Sequence, residues 1–144
     1  GVGPIHVVKG KVNSKYYCDN ILDDKFFLWW RTNQEWNPAL VFQEDGSPPS
    51  TSKLTRAHKA AKNLPLLPDW PPSSPDLNII ERLWWILETK LRQRNPLPTG
   101  KPSLAAALKE EWAKIPLEMV RNLYRQCERR THAVWESGGG ATKY

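Results

Sequence analysis

Two carboxylates have settings that could carry chemistry. Asp45 directly follows the apolar run 39–43 (ALVFQ), has Glu44 beside it, and precedes the turn-forming GSPPS. In open α/β sheets, residues just past the carboxyl end of a strand line the ligand crevice, so a carboxylate there can face a metal or substrate. Asp before Gly is also an ordinary turn former, because its side chain bonds its own backbone. Glu81 lies in the sequence Asn78-Ile-Ile-Glu81, which fits Asn78 as a helix N-cap and Glu81 at the third helical position, reaching back to an exposed backbone N–H. The positive end of the helix dipole favours a carboxylate there as well. A strand-end Asp and a helix-borne Glu could supply part of a Mg²⁺ site. Two such ions about 4 Å apart can clamp the attacking and leaving oxygens of a phosphodiester. Two carboxylates alone are too few for that.

The elements around them must do the positioning. The loop WPPSSPDLN brings Trp70, Pro71, Pro72, Pro75, Asp76 and Asn78 immediately before Glu81, and its prolines stiffen the segment that seats the carboxylate. Upstream, residues 4–8 (PIHVV) read as a strand and 14–30 as a helix with one apolar face, capped by Ser14. Residues 39–43 suit a buried strand, 51–62 a basic helix and 64–67 another short strand. Helices are expected at 78–93, 103–114 and 117–136, with a Pro- and Gly-containing linker at 95–101. This order predicts an α/β fold with a helical C-terminal extension. The corresponding domains are 1–94, a helical extension 95–136, and a disordered tail 137–144.

Length and composition set the frame. The 144 residues, 40% hydrophobic and 25% charged, suffice for one domain with a core. Cys18 and Cys127 have no metal-ligand spacing, and reduced thiols in an intracellular protein are expected, with a disulfide between them the minority case. His6, His58 and His132 are scattered. No signal peptide or membrane-length apolar run is present, so a soluble protein of the cytosol or nucleus is expected. The charge is uneven: residues 1–81 are neutral overall, whereas 82–144 hold twelve basic and six acidic residues and thus the whole +6. Such a field favours polyanions, and Arg82, Lys90, Arg92, Arg94, Arg121, Arg125, Arg129 and Arg130 are the candidates for phosphate contact. A solvated basic helix surface is the plainer alternative. Trp84, Trp85, Trp112 and Trp135 fall at helical apolar positions, where packing is expected rather than base stacking.

The segment WPPSSPDLNIIERLWWILETKL resembles the WPPxSPDLNPIExLWxxLK signature of the Tc/mariner DDE transposases, on the Tc-like side. VFQEDGSPPSTSK resembles the family's FQQDxxPxHTSK segment, GVGPIHVVKGKVNSKYYCDNIL its strand-turn-helix stretch, and the terminal GGATKY its common GGHTKY ending. The resemblance implies a partial RNase H-like fold with its first strands missing. It also implies an Asp-Asp-Glu triad holding Mg²⁺ or Mn²⁺ that cuts transposon ends and joins them to target DNA at TA. Asp45 would be the second triad acid and Glu81 the third, with 35 residues between them (46–80). The first acid and the helix-turn-helix modules have no match here, the family's His after the second Asp is Ser50, and its Pro after the motif's Asn is Ile79. The expectation is a nuclear, C-terminal part of such an enzyme that binds DNA but is inactive by itself. The alternative is a non-catalytic DNA-binding or interaction module derived from a transposase. No membrane partner is expected, and a homodimer is left open.

Overall fold

The computed structural model describes residues 2–68 and 78–139. The chain divides into two compact units, Gly3–Ser73 and Ser74–Tyr144, the latter with Gly1–Val2.

In the N-terminal unit three helical segments run end to end: α1 (Ser14–Tyr16), a π-wound stretch (Tyr17–Phe26) and α2 (Phe27–Trp36). Asn13, not Ser14, caps the start, its Oδ1 accepting from the Tyr16 N–H at 2.8 Å. The buried residues step Cys18, Leu22, Phe27, Trp30, and the five-residue step from Leu22 to Phe27 explains the winding. An α-helix would turn Phe27 off the buried face. The i→i+5 bond from the Phe27 N–H to the Leu22 carbonyl brings it back. Leu22, Phe27, Trp30 and Leu64 form the core, with Tyr17, Phe26, Trp29, Leu40 and Phe42 packed against it. Two short helices follow the turn after Asp45: α3 (Pro48–Thr51) and α4 (Lys53–Ala61). Ser52 caps α4 by accepting from the Thr55 N–H. Asn63 ends α4 in the left-handed region (φ 51), and the Leu64 N–H returns to the Lys59 carbonyl, which delivers Leu64 to the core.

The expected α/β, RNase H-like architecture is not what the chain adopts: it is mostly helical, and no strand or sheet occurs among the described residues. Residues 4–8 form no strand and no bridge among the described residues. Residues 39–43 and 64–67 meet at a single parallel bridge, Phe42 with Leu66, carried by Phe42 N–H to Pro65 O and Leu67 N–H to Phe42 O. The physical reason is that a strand is completed by its neighbours, and one bridge does not extend into a ladder. The apolar side chains of the 39–43 run are used differently, with Leu40 and Phe42 covering the helical core.

The C-terminal unit contains α5 (Ile79–Arg92), α6 (Gly100–Ala113) and α7 (Leu117–Glu136), with α5 packing on both others. Leu83 and Leu87 of α5, Ala107 and Trp112 of α6, Ile115, and Leu123 of α7 are its buried apolar residues. Trp84 stacks on Trp112 with ring centroids 5.3 Å apart. Ser137–Gly139 closes α7 in a turn, with Gly138 and Gly139 both at positive φ. No helix among the described residues is long and apolar enough to cross a membrane.

Candidate functional site

The N-terminal unit sets Asp45 apart from its neighbour Glu44. Glu44 is captured: its Oε2 accepts from the Tyr17 hydroxyl at 2.8 Å, and its Oε1 takes the Lys59 ammonium. Lys59 is only 2% exposed and also donates to the Ser50 carbonyl at 2.9 Å. Burial pulls the Lys59 ammonium below the ordinary lysine value. Burial, then the nearby Asp45 charge, pushes the Tyr17 hydroxyl up to about 12, so it remains a donor to Glu44 at neutral pH. The buried Ser50 hydroxyl donates to the Asp45 carbonyl at 3.0 Å. The backbone at residues 44–50 is therefore tied down from both sides of Asp45. Its carboxylate is exposed, and its one side-chain bond among the described residues is a long contact of 3.4 Å from the Ser47 N–H. That contact is the turn role available to any Asp-Gly, and it leaves most of the oxygen lone pairs open.

Glu81 is held by a different device. Asn78 has extended backbone and its Oδ1 accepts from the Ile80 N–H at 3.1 Å, so it is the N-cap of α5 as its sequence position predicts. Glu81 sits in the first turn, where the helix dipole favours it. Its side chain is exposed and makes no hydrogen bond or ion pair among the described residues, so the reach-back expected of a capping box is not made there. Trp70, Pro71, Pro72, Pro75 and Asp76, the rest of the expected seat, lie outside the described residues.

Both carboxylates have the chemistry of a hard-cation ligand: ionisable oxygens, exposed, with no Lys or Arg taking them up among the described residues. They belong to different units, and no group of three His, Cys, Asp or Glu side chains that could hold a metal occurs among the described residues. Carboxylate oxygens of this kind suit Mg²⁺ or Mn²⁺.

Four of the eight basic candidates pair with acids. Arg92 pairs with Glu88 at 2.7 Å, Arg94 with Glu110 and Glu111 at 2.8 Å each, and Arg125 with Glu118 at 2.9 Å. Arg121 also approaches Glu118, at 3.6 Å. Lys90 and Arg129 have no acid partner among the described residues, and Arg130 is half-buried. Lys114 and Arg94 hold the Glu110 carboxyl well below its ordinary range, at about 2. Solvent screens the exposed pairs among these, so a phosphate can compete for the same cations. Arg82 is placed differently, with its guanidinium carbon 4.1 Å from the centroid of the Trp85 ring.

Sequence reasoning missed Tyr17, Glu44 and Lys59 as a unit. The only signal was a lysine four residues after Thr55 on the buried side of α4, indistinguishable in sequence from the helix's other basic positions. Of the four tryptophans expected to pack, only Trp112 is buried; Trp84 stacks on it but is 42% exposed, and Trp85 and Trp135 are 53% and 78% exposed.

No family model matches the chain. Individual proteins do. The chain is 32% identical over 143 residues to the transposable element Tcb1 transposase of Caenorhabditis briggsae, covering 99% of this chain and 50% of that protein. The Tc1 transposase of Caenorhabditis elegans gives the same identity and coverage. The Tc3 transposase of that organism is 31% identical over 140 residues, 97% of this chain and 41% of its own length. The chain thus spans about half the length, or less, of these relatives. The matched stretch is long enough to take in both the Asp45 and the Glu81 segments, and by this similarity the chain belongs to the Tc/mariner family of transposases.

Proposed function

We propose that this transposase-derived chain carries two of the three metal-binding acids of a DNA strand-cleavage and strand-transfer reaction, Asp45 and Glu81. The observation that carries the reading is similarity to transposases over nearly the whole of this chain, a stretch that includes two motif carboxylates, both exposed and free of cation partners among the described residues. Mg²⁺ or Mn²⁺, when bound, would supply the charge that activates an attacking oxygen and stabilises a leaving one. Glu44 is not a rival ligand to Asp45, because Lys59 and Tyr17 already consume its oxygens. DNA is the partner, contacted by the basic residues of α5 and α7, and the nucleus is the compartment where it would be met. With two matched acids only, residues 1–144 by themselves do not turn over.

NMR of the ¹⁵N-labelled chain with Mn²⁺ tests the assignment. Paramagnetic broadening is expected at the Asp45 and Glu81 amides, weakened by Asp45→Asn and Glu81→Gln respectively. Broadening confined to other carboxylates would overturn it. A nicked duplex incubated with the chain and Mn²⁺ should remain uncut; sustained cleavage would refute the inactivity. Duplex binding should fall steeply with salt, and no binding even at low salt would remove the DNA reading.

A further inference from the structure

We propose that Trp85, with Arg82 laid over its ring, is a stacking site for a nucleobase of single-stranded or frayed DNA. The two tryptophans that adjoin in α5 are both partly exposed but differ in what holds their rings. Trp84, 42% exposed, stacks on the buried Trp112, whereas Trp85, 53% exposed, has no aromatic partner among the described residues and carries the Arg82 guanidinium over its ring. A single exposed apolar residue is ordinary on a protein surface. Three observations together set this one apart.

First, the Arg82 guanidinium, three residues away on the same helix, restrains the indole by a cation–π contact, so a flat, oriented ring faces solvent. Second, Trp85 lies four residues after Glu81, which puts both exposed side chains on one face of α5, a turn apart. The buried residues Leu83 and Leu87 occupy another face. Third, the stretch from Arg82 onward holds the chain's whole net charge of +6, which complements a polyanion. An indole flanked by a guanidinium in a basic field is the combination by which single-strand binders hold bases without sequence preference. A base seated on Trp85 would bring its strand beside Glu81. The inference rests on the DNA reading above but does not require metal or turnover.

The test compares binding of the 144-residue chain to a single-stranded oligodeoxynucleotide and to an abasic strand of the same length, at fixed low salt. Phosphate contact is common to both, and stacking belongs only to the first. The intact strand should bind about tenfold more tightly, in keeping with one base stacked on an aromatic ring. Trp85→Ala should abolish that preference, and Trp85→Phe should keep part of it. Binding of the abasic strand should be unchanged by either substitution, and the indole N–H resonance of Trp85 should move only with the intact strand. Because the side chain is exposed, an unaltered circular dichroism melt is expected of both variants. Equal binding of the two strands, or an unchanged preference in Trp85→Ala, would overturn the stacking site while leaving duplex binding, and so the DNA reading, standing. Failure of the parent chain to bind any DNA would overturn both.

Discussion

The two units hold their carboxylates by opposite means. Asp45 is fixed from beneath by buried charge: Lys59 takes Glu44 and the Ser50 carbonyl, Tyr17 completes Glu44, and Ser50 grips the Asp45 carbonyl. Glu81 is fixed from alongside by one helix cap at Asn78 and by the packed helix behind it, with no bond of its own among the described residues. The first seat depends on a network that is costly to break in part, because removing Lys59 or Glu44 leaves its partner as an unpaired charge in a mostly buried site. The second depends on a local hydrogen bond whose loss costs little and stays local. A carboxylate's neighbours therefore determine how far a mutation propagates, even where the carboxylates themselves are equally exposed.

The largest expected effect strikes the first seat. Lys59→Met should destabilise the chain by about 3–5 kcal/mol, since it leaves Glu44 without its cation in a mostly buried site. Urea unfolding gives the magnitude, and hydrogen exchange of the α4 amides assigns it to the N-terminal unit. Adding Glu44→Gln should recover a good part of the loss; no recovery would mean that volume rather than charge is at stake. Core truncations give the reference scale. Leu22→Ala and Leu87→Ala remove side chains that are each 1% exposed, one per unit, and each should cost about 2–5 kcal/mol. If Lys59→Met costs well under 1 kcal/mol beside them, the contrast between the seats collapses. Asn78→Ala should cost about 1 kcal/mol and accelerate exchange at Ile80 and Glu81 alone. Loss of protection along the whole of α5 would show that the second seat is no more local than the first.

What could be seen in the sequence follows the range of the interaction responsible. The Asn78 cap, the start of α5 and the whole of α7 were legible because capping and apolar periodicity act within a turn or two. Residues 39–43 and 64–67 were misread as strands because short apolar runs take their structure from whatever packs on them, and here that is a helical core joined by one bridge. The π-wound stretch was read as a regular helix, since a 3.6-residue template absorbs a single five-residue step without complaint. Glu44 and Lys59 lie 15 residues apart with a turn and a helix start between them, so nothing local announces the pair. The local settings of Asp45 and Glu81 fit a turn and a helix start as well as a metal site, so their reading as metal-binding acids rests on the family resemblance. Their freedom from cations among the described residues is a property of the folded chain.

The smallest expected effect concerns the surface pairs that bind α5's end to α6. Glu110 accepts from Lys114 and from Arg94, and these two bonds hold its carboxyl at about 2. A carboxyl whose folded value is depressed contributes stability in full above its unfolded value and loses it as pH falls toward the folded one. The contribution should therefore be constant from pH 7 down to about 5, the upper edge of the ordinary carboxyl range, and should fade between there and pH 2. Other carboxyls titrate over the same interval, so the informative quantity is the difference in melting temperature between the parent chain and Glu110→Gln. That difference should be small and positive at pH 6, because the pair is solvent-exposed and screened. It should have shrunk to a small remnant by pH 2, and added salt should shrink it at pH 6 far more than at pH 2. A difference that persists undiminished at pH 2 would assign Glu110 a packing role in place of an electrostatic one.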